Sequence, residues 1–294
     1  MFAEMTNYYF LNDILEKLPN SVEEKKEISK DLIFNFANFN TTSWFYKGYK
    51  IKKDKYKLYK KLESENFDLF FINLLSELSI RLTDDDLNYE RLIFLYGIYT
   101  NHLLMTKLKS YILSLKSSTT NLYEAYNMID YYLANKYEDI NLKEVDLRNR
   151  FEDGFNYYEY QDNLLHNPLL VTYNMFLSKE YLRKSYKKKA RFFELYGDSK
   201  FGFRKKLFRF ISIFYKNVMS PHYFYKDKID TKILNIPKLN YDIGEKKHNL
   251  NLIEFIDELE KEAIKTIEGI NDYLFNNNDK KIRKIFNIPK ERKM

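Results

Sequence analysis

The chain contains no cysteine. Disulfides and thiolate metal sites are therefore excluded. Proline occurs only 5 times and glycine 7 times in 294 residues. An all-β fold needs turn residues about every 8–12 positions, and long disordered linkers are rich in them too. Both are argued against. So few glycines also leave no phosphate-cradling Gly-rich loop and no nucleophile elbow. No run reaches the roughly 18 apolar residues of a membrane-spanning helix. The opening "MFAEMTNYYFLNDILEKLP" has an early acid, no basic region and no long apolar run. It does not read as a signal peptide, so a cytoplasmic protein is expected.

What is present is a chain with 45% hydrophobic residues, enough for a core, and long segments with few helix breakers. It carries 27 Tyr and 24 Phe against a single Trp. Tyr, Phe, Asn, Lys and Ile share AT-rich codons, so one aromatic or one lysine is weak evidence of a binding surface. The net charge is +7, from 49 basic and 42 acidic residues. That balance permits nucleic acid or anionic lipid as a partner without requiring either.

Periodicity predicts helices at 5–18, 65–82, 83–115, 120–137, 201–219 and 251–275. A further helix is expected from Ser21, with Glu24 at the capping-box position. Pro168 is placed as the opening residue of a helix ending at Gly197. Residues 138–165 are more polar. Residues 220–248, with two Pro and one Gly, read as an extended surface segment. No repeat or sharp boundary is seen. The expectation is an all-α, single multi-helix domain over 1–278, followed by a basic C-terminal tail, 279–294.

Within "YGIYTNHLLMTKLKSYI" (96–112), Asn101, Met105 and Lys109 recur at a four-residue step. Such a row lies on one helix face. Two His and an Asp in it would be a metal-site pattern; here it holds an amide, a thioether and an ammonium.

Several stretches together carry a resemblance: "MTNYYFLNDILEKLP", "FANFNTTSWFYKG", "LIFLYGIYTNHLLMTKLKSYI", "TNLYEAYNMIDYYL", and "MSPHYFYKDK" through "IEFIDELEKEAIKTIEGI". In order and layout they resemble the bacterial zinc-dependent phospholipase C family, in its intracellular branch. The wider fold group also holds single-strand-specific zinc nucleases. The resemblance implies a multi-zinc phosphodiesterase site. Its first His falls on Asn7, its Gly-Pro-Asp acid near Thr42, and its His-Asp-His row on Asn101, Met105 and Lys109. Its later Glu falls near Tyr126, with the preceding His near Leu122. Gly97 and Tyr111 anchor the central row.

Asn and Met are poor zinc ligands, and a lysine adds a repelling charge. His102 is no substitute for Asn101, because one residue turns a helix by about 100°. No catalytic residue, metal ligand or cofactor is therefore assigned; zinc enters only if the ligands are not lost. The expected function is a catalytically degenerate phospholipase C-like protein that binds a lipid head group or a protein partner. The rivals are an active phosphoric-ester hydrolase with a reduced metal site, and a nucleic-acid-binding helical protein.

Other candidates are sparse. Asp162 and His166 lie one helical turn apart near Glu159, a spacing more often met on a solvated face. His222 has no acid at ligand spacing. "RKSYKKKAR" (183–191) and "FRKKLFRF" (203–210) crowd basic residues. Arg204, Lys205, Lys206 and Arg209 alternate with aromatics, a pattern suited to an anionic membrane surface or to phosphates and stacked bases. Given the Lys-rich, Phe-rich composition, a core-facing aromatic stripe with a solvated basic face is the simpler explanation of them. Peripheral membrane association is the leading partner expectation, ahead of nucleic acid.

Overall fold

The computed structural model describes residues 4–18, 28–39, 66–81, 87–114, 122–138, 142, 158–196, 206, 239–243 and 246–288. These residues are predominantly helical, as the composition predicts. The elements are α1 (Glu4–Lys17), α2 (Lys30–Ala37), α3 (Phe67–Arg81), α4 (Leu87–Leu103), a π-helical turn (Leu104–Leu108), α5 (Lys109–Ser114) and α6 (Leu122–Glu138). They continue with α7 (Tyr158–Tyr173), α8 (Lys179–Tyr196), β1 (Leu239–Ile243), β2 (Lys246–Leu250), α9 (Leu252–Asn276) and α10 (Lys280–Ile285). The two strands pair antiparallel, Tyr241 opposite His248. They lie in the segment read as extended.

The first helix is the hub. It packs against α2, α4, α6 and α9 and buries Met5, Tyr8, Tyr9, Phe10, Leu11 and Ile14. An apolar face this broad is buried on several sides rather than along one stripe. The fourth helix is held to α9 by the Tyr99 hydroxyl, 3.0 Å from Thr266 Oγ1, and by that of Tyr96, which donates to Asn271 Oδ1. Tyr111 donates to the Leu250 carbonyl at 2.9 Å and stacks on Phe255, centroids 4.3 Å apart. The opening of α9 is set by Asn251, which forms a reciprocal capping box with Glu254.

Three boundaries differ from the sequence reading. The N-cap of α2 is Ser29, whose Oγ accepts from the Leu32 N–H at 3.2 Å; Ser21 and Glu24 lie outside the described residues. Pro168 sits inside α7 rather than opening it. The break instead falls at Asn174, whose φ of 51° ends α7, asparagine tolerating the left-handed region better than most residues. Ser178 then opens α8, its Oγ accepting from the Tyr181 N–H at 3.2 Å. Finally, part of the segment read as a basic tail is packed. Ile282, Phe286 and Ile288 are buried, and Lys281 pairs with Asp272 of α9 at 2.7 Å.

Candidate functional site

The last carbonyls of a helix have no partner within it. Where that end is buried, other groups must supply donors. The end of α2 is such a place, where α1, α4 and α8 meet it.

Asn38, fully buried, turns its side-chain amide back onto the Phe34 carbonyl at 2.9 Å and across to the Glu4 carbonyl at 3.0 Å. Asn101 of α4 donates to the Ala37 carbonyl at 2.9 Å. The Lys189 ammonium of α8 lies 3.5 Å from the Asn38 carbonyl and 3.8 Å from Glu4 Oε1. A cation at a helix C-terminus also meets the negative end of the helix dipole. Asn7 of α1 donates to Asn38 Oδ1 at 3.1 Å, while its own Oδ1 is buried without a hydrogen-bond partner. Tyr186, one turn before Lys189, donates to Asn35 Oδ1 at 2.8 Å.

Lys189 is only 1% exposed. Burial drives its pKa down to about 8, against the opposing pull of Glu4. Nearby, Asp130 of α6 caps α1. It accepts from the Thr6 backbone N–H at 2.8 Å and from its hydroxyl at 2.5 Å. A carboxylate at a helix N-terminus is favoured by the same dipole.

Asn7 and Asn101 both reach the end of α2, Asn7 through Asn38 and Asn101 through the Ala37 carbonyl. The rest of the row does not follow. Asn101 is buried, whereas Met105 and Lys109 are half-buried, and the inward positions are Leu104, Leu108, Tyr111 and Ile112. A π turn spans Leu104–Leu108, and the four-residue row that faces inward through it is Leu104, Leu108 and Ile112. Tyr126 is buried one turn before Asp130. Thr42, Arg204, Lys205, Arg209 and His222 lie outside the described residues, as do the side chains of Leu122, Glu159, Asp162 and His248; Lys206 is exposed.

Zinc does not fit this donor set. The Asn7 and Asn101 amide nitrogens are committed to Asn38 and Ala37, and an ammonium occupies the cluster, where a catalytic zinc site wants three His or carboxylate ligands. Among the described residues no group of three His, Asp or Glu could hold a metal. His102 is a packing residue. Its ring lies flat on Phe67, centroids 3.4 Å apart and planes 2° from parallel, and burial lowers its pKa to about 3. His166 meets the edge of Phe176 at 4.9 Å.

A second polar group lies where α1, α6 and α9 meet. Lys17 bridges Asp13 at 3.0 Å and Glu260 at 2.5 Å, and Tyr137 donates to Asp13 at 2.9 Å. Burial would raise the Asp13 carboxyl, but hydrogen bonds from Lys17, Tyr137 and Glu260 outweigh it and hold it low. Glu260 is pushed up, by burial first and then by Asp13, against the pull of Lys17. The adjoining cavity, walled by Tyr9, Tyr132 and Ile256, measures about 20 Å³. That is room for about one water, not for a substrate.

Sequence reasoning missed Glu4, Asn38, Asp130 and Lys189. Lys189 was hidden in a basic run, yet its spacing from Leu182, Ser185 and Tyr186 places it on their inward face. Comparison with protein families, curated proteins and solved structures finds no match.

Proposed function

We propose that the chain is a catalytically degenerate phospholipase C-like protein that acts by binding rather than by hydrolysis. One observation carries this reading. The two described positions that the resemblance assigns to metal ligands on α1 and α4, Asn7 and Asn101, meet at the end of α2. There an amide–ammonium network uses them to close a helix instead of to hold a cation. A nucleophile-generating metal needs an open coordination position, and at this helix end the Lys189 ammonium and the Asn38 amide present hydrogen-bond donors rather than ligands. The scaffold is thereby freed to present its surface to a partner.

The test is elemental analysis of the purified full-length protein, paired with a phosphodiesterase assay. The expected result is substoichiometric zinc and turnover no faster than in a blank. Stoichiometric zinc with activity that a chelator abolishes establishes the rival hydrolase and overturns this proposal.

A further inference from the structure

The eighth helix splits its charges cleanly. Leu182, Ser185, Tyr186, Lys189 and Ala190 face inward, while Arg183, Lys184, Lys187, Lys188 and Arg191 are exposed. The spacing of the outer five, i, i+1, i+4, i+5 and i+8, makes one continuous basic face about 12 Å long at 1.5 Å per residue. Glu180, at its N-terminal end, is the one exposed acid among the described side chains of the helix. Arg183, Lys184, Lys188 and Arg191 make no ion pair among the described residues.

At the elbow leading into this helix, large apolar side chains stand in solvent. Val171 is 71% exposed and Phe176 63%, with Leu170 beside them. Phe176 leans edge-on against His166, one turn before Leu170, which places it alongside Leu170 and Val171. Single exposed apolar residues are ordinary; three together on one elbow mark an interaction site.

We propose that the α7–α8 elbow docks on an anionic phospholipid surface. The basic face supplies attraction to the negative leaflet, and Leu170, Val171 and Phe176 enter the interfacial region, where apolar side chains are favoured. Both features are needed for the choice of partner. A nucleic-acid backbone would match the cations but gives nothing to exposed leucine and valine, and the described side chains of the basic face include no aromatic for base stacking. The inner face of α8 is locked in the core, so the helix does not roll to bury itself in lipid. It approaches with its cations while the elbow inserts. This inference does not rest on the phospholipase-like reading and uses none of the residues around α2.

The experiment is co-sedimentation of the full-length protein with phosphatidylcholine vesicles, with and without phosphatidylserine, at low and raised salt. The expected result is pelleting only on the anionic vesicles, weakened by salt. Lys184→Glu combined with Lys188→Glu should lower the partition coefficient about tenfold or more. Val171→Ser combined with Phe176→Ser should remove the binding that survives raised salt. All four positions are exposed, and thermal unfolding of each variant confirms an intact fold. No pelleting on anionic vesicles overturns the proposal, as does binding indifferent to both variants, which would locate the contact elsewhere. Capture by duplex or single-stranded nucleic acid that the charge reversal abolishes and the serine variant leaves intact also overturns it.

Discussion

The side chain of Asn101 reaches from the fourth helix to the carbonyl of Ala37, 2.9 Å away, at the end of the second. Both residues are buried, so no water replaces the bond. Asn101→Leu keeps the volume and removes the donor. A buried acceptor left unsatisfied costs about 1–3 kcal/mol. The variant should therefore unfold at lower denaturant, with the slope of the transition unchanged. Asn101→Asp should be worse, because it sets a carboxylate against a carbonyl. Restoring a ligand-like Asp or His here should not confer zinc binding, which isothermal titration with zinc alone would check.

One turn earlier, Gly97 makes that reach feasible. A β-carbon at this position would stand 2.7 Å from the Phe36 carbonyl carbon and nearer still to its oxygen. The obstacle is backbone, which does not swing aside. Gly97→Ala gains about 1 kcal/mol of helix propensity, but separating α2 from α4 should outweigh it, for a net loss of about 1–3 kcal/mol. A more stable G97A variant in chemical denaturation would show that the helices part freely.

His102 should make the fold acid-sensitive. Burial against Phe67 lowers its pKa from 6.5 to about 3. Between these values the unfolded chain takes up a proton that the folded chain refuses. Stability is thus complete above about pH 6.5 and is lost as pH falls toward 3, at up to about 1.4 kcal/mol per pH unit. His102→Leu removes this term, so the difference in unfolding free energy between variant and parent should shrink or reverse on acidification. A difference that stays constant from neutral pH to about pH 4.5 would refute the linkage.

The helices were legible because their causes are local. The 3.6-residue pattern places α1, α3 and α9 within a few residues. The π turn at Leu104–Leu108 was not legible, since no residue type marks it; the buried row through it is Leu104, Leu108 and Ile112 rather than Met105 and Lys109. Pro168 misled because proline is tolerated where neighbouring packing compensates, whereas Asn174, which ends α7, looked ordinary. Glu4, Asn38 and Asp130 act through partners distant in sequence, such as Asn7 for Asn38 and Lys189 for its carbonyl. Sequence spacing carries no trace of such pairs.

Lys189 offers the sharpest test of the buried cluster. Its pKa falls from 10.5 to about 8, chiefly through burial, with Glu4 opposing. Below about pH 8 the ammonium is present in both states and the folded state bears the full cost of burying it. Between about 8 and 10.5 the folded chain has released the proton while the unfolded chain still holds it, so stability rises with pH through that window. Lys189→Met alone removes the ammonium from beside the buried Glu4 carboxylate and should destabilise by about 3–5 kcal/mol. Adding Glu4→Gln should recover part of that loss, because the buried negative charge is removed with its cation. Relative to the parent, both variants should lack the rise above pH 8. Urea unfolding of the three proteins below and above that pH measures it directly. A parent whose stability relative to the double variant does not change across the window would mean that Lys189 keeps its proton in the fold, and that the Asn38 carbonyl and Glu4 hold it more firmly than burial expels it.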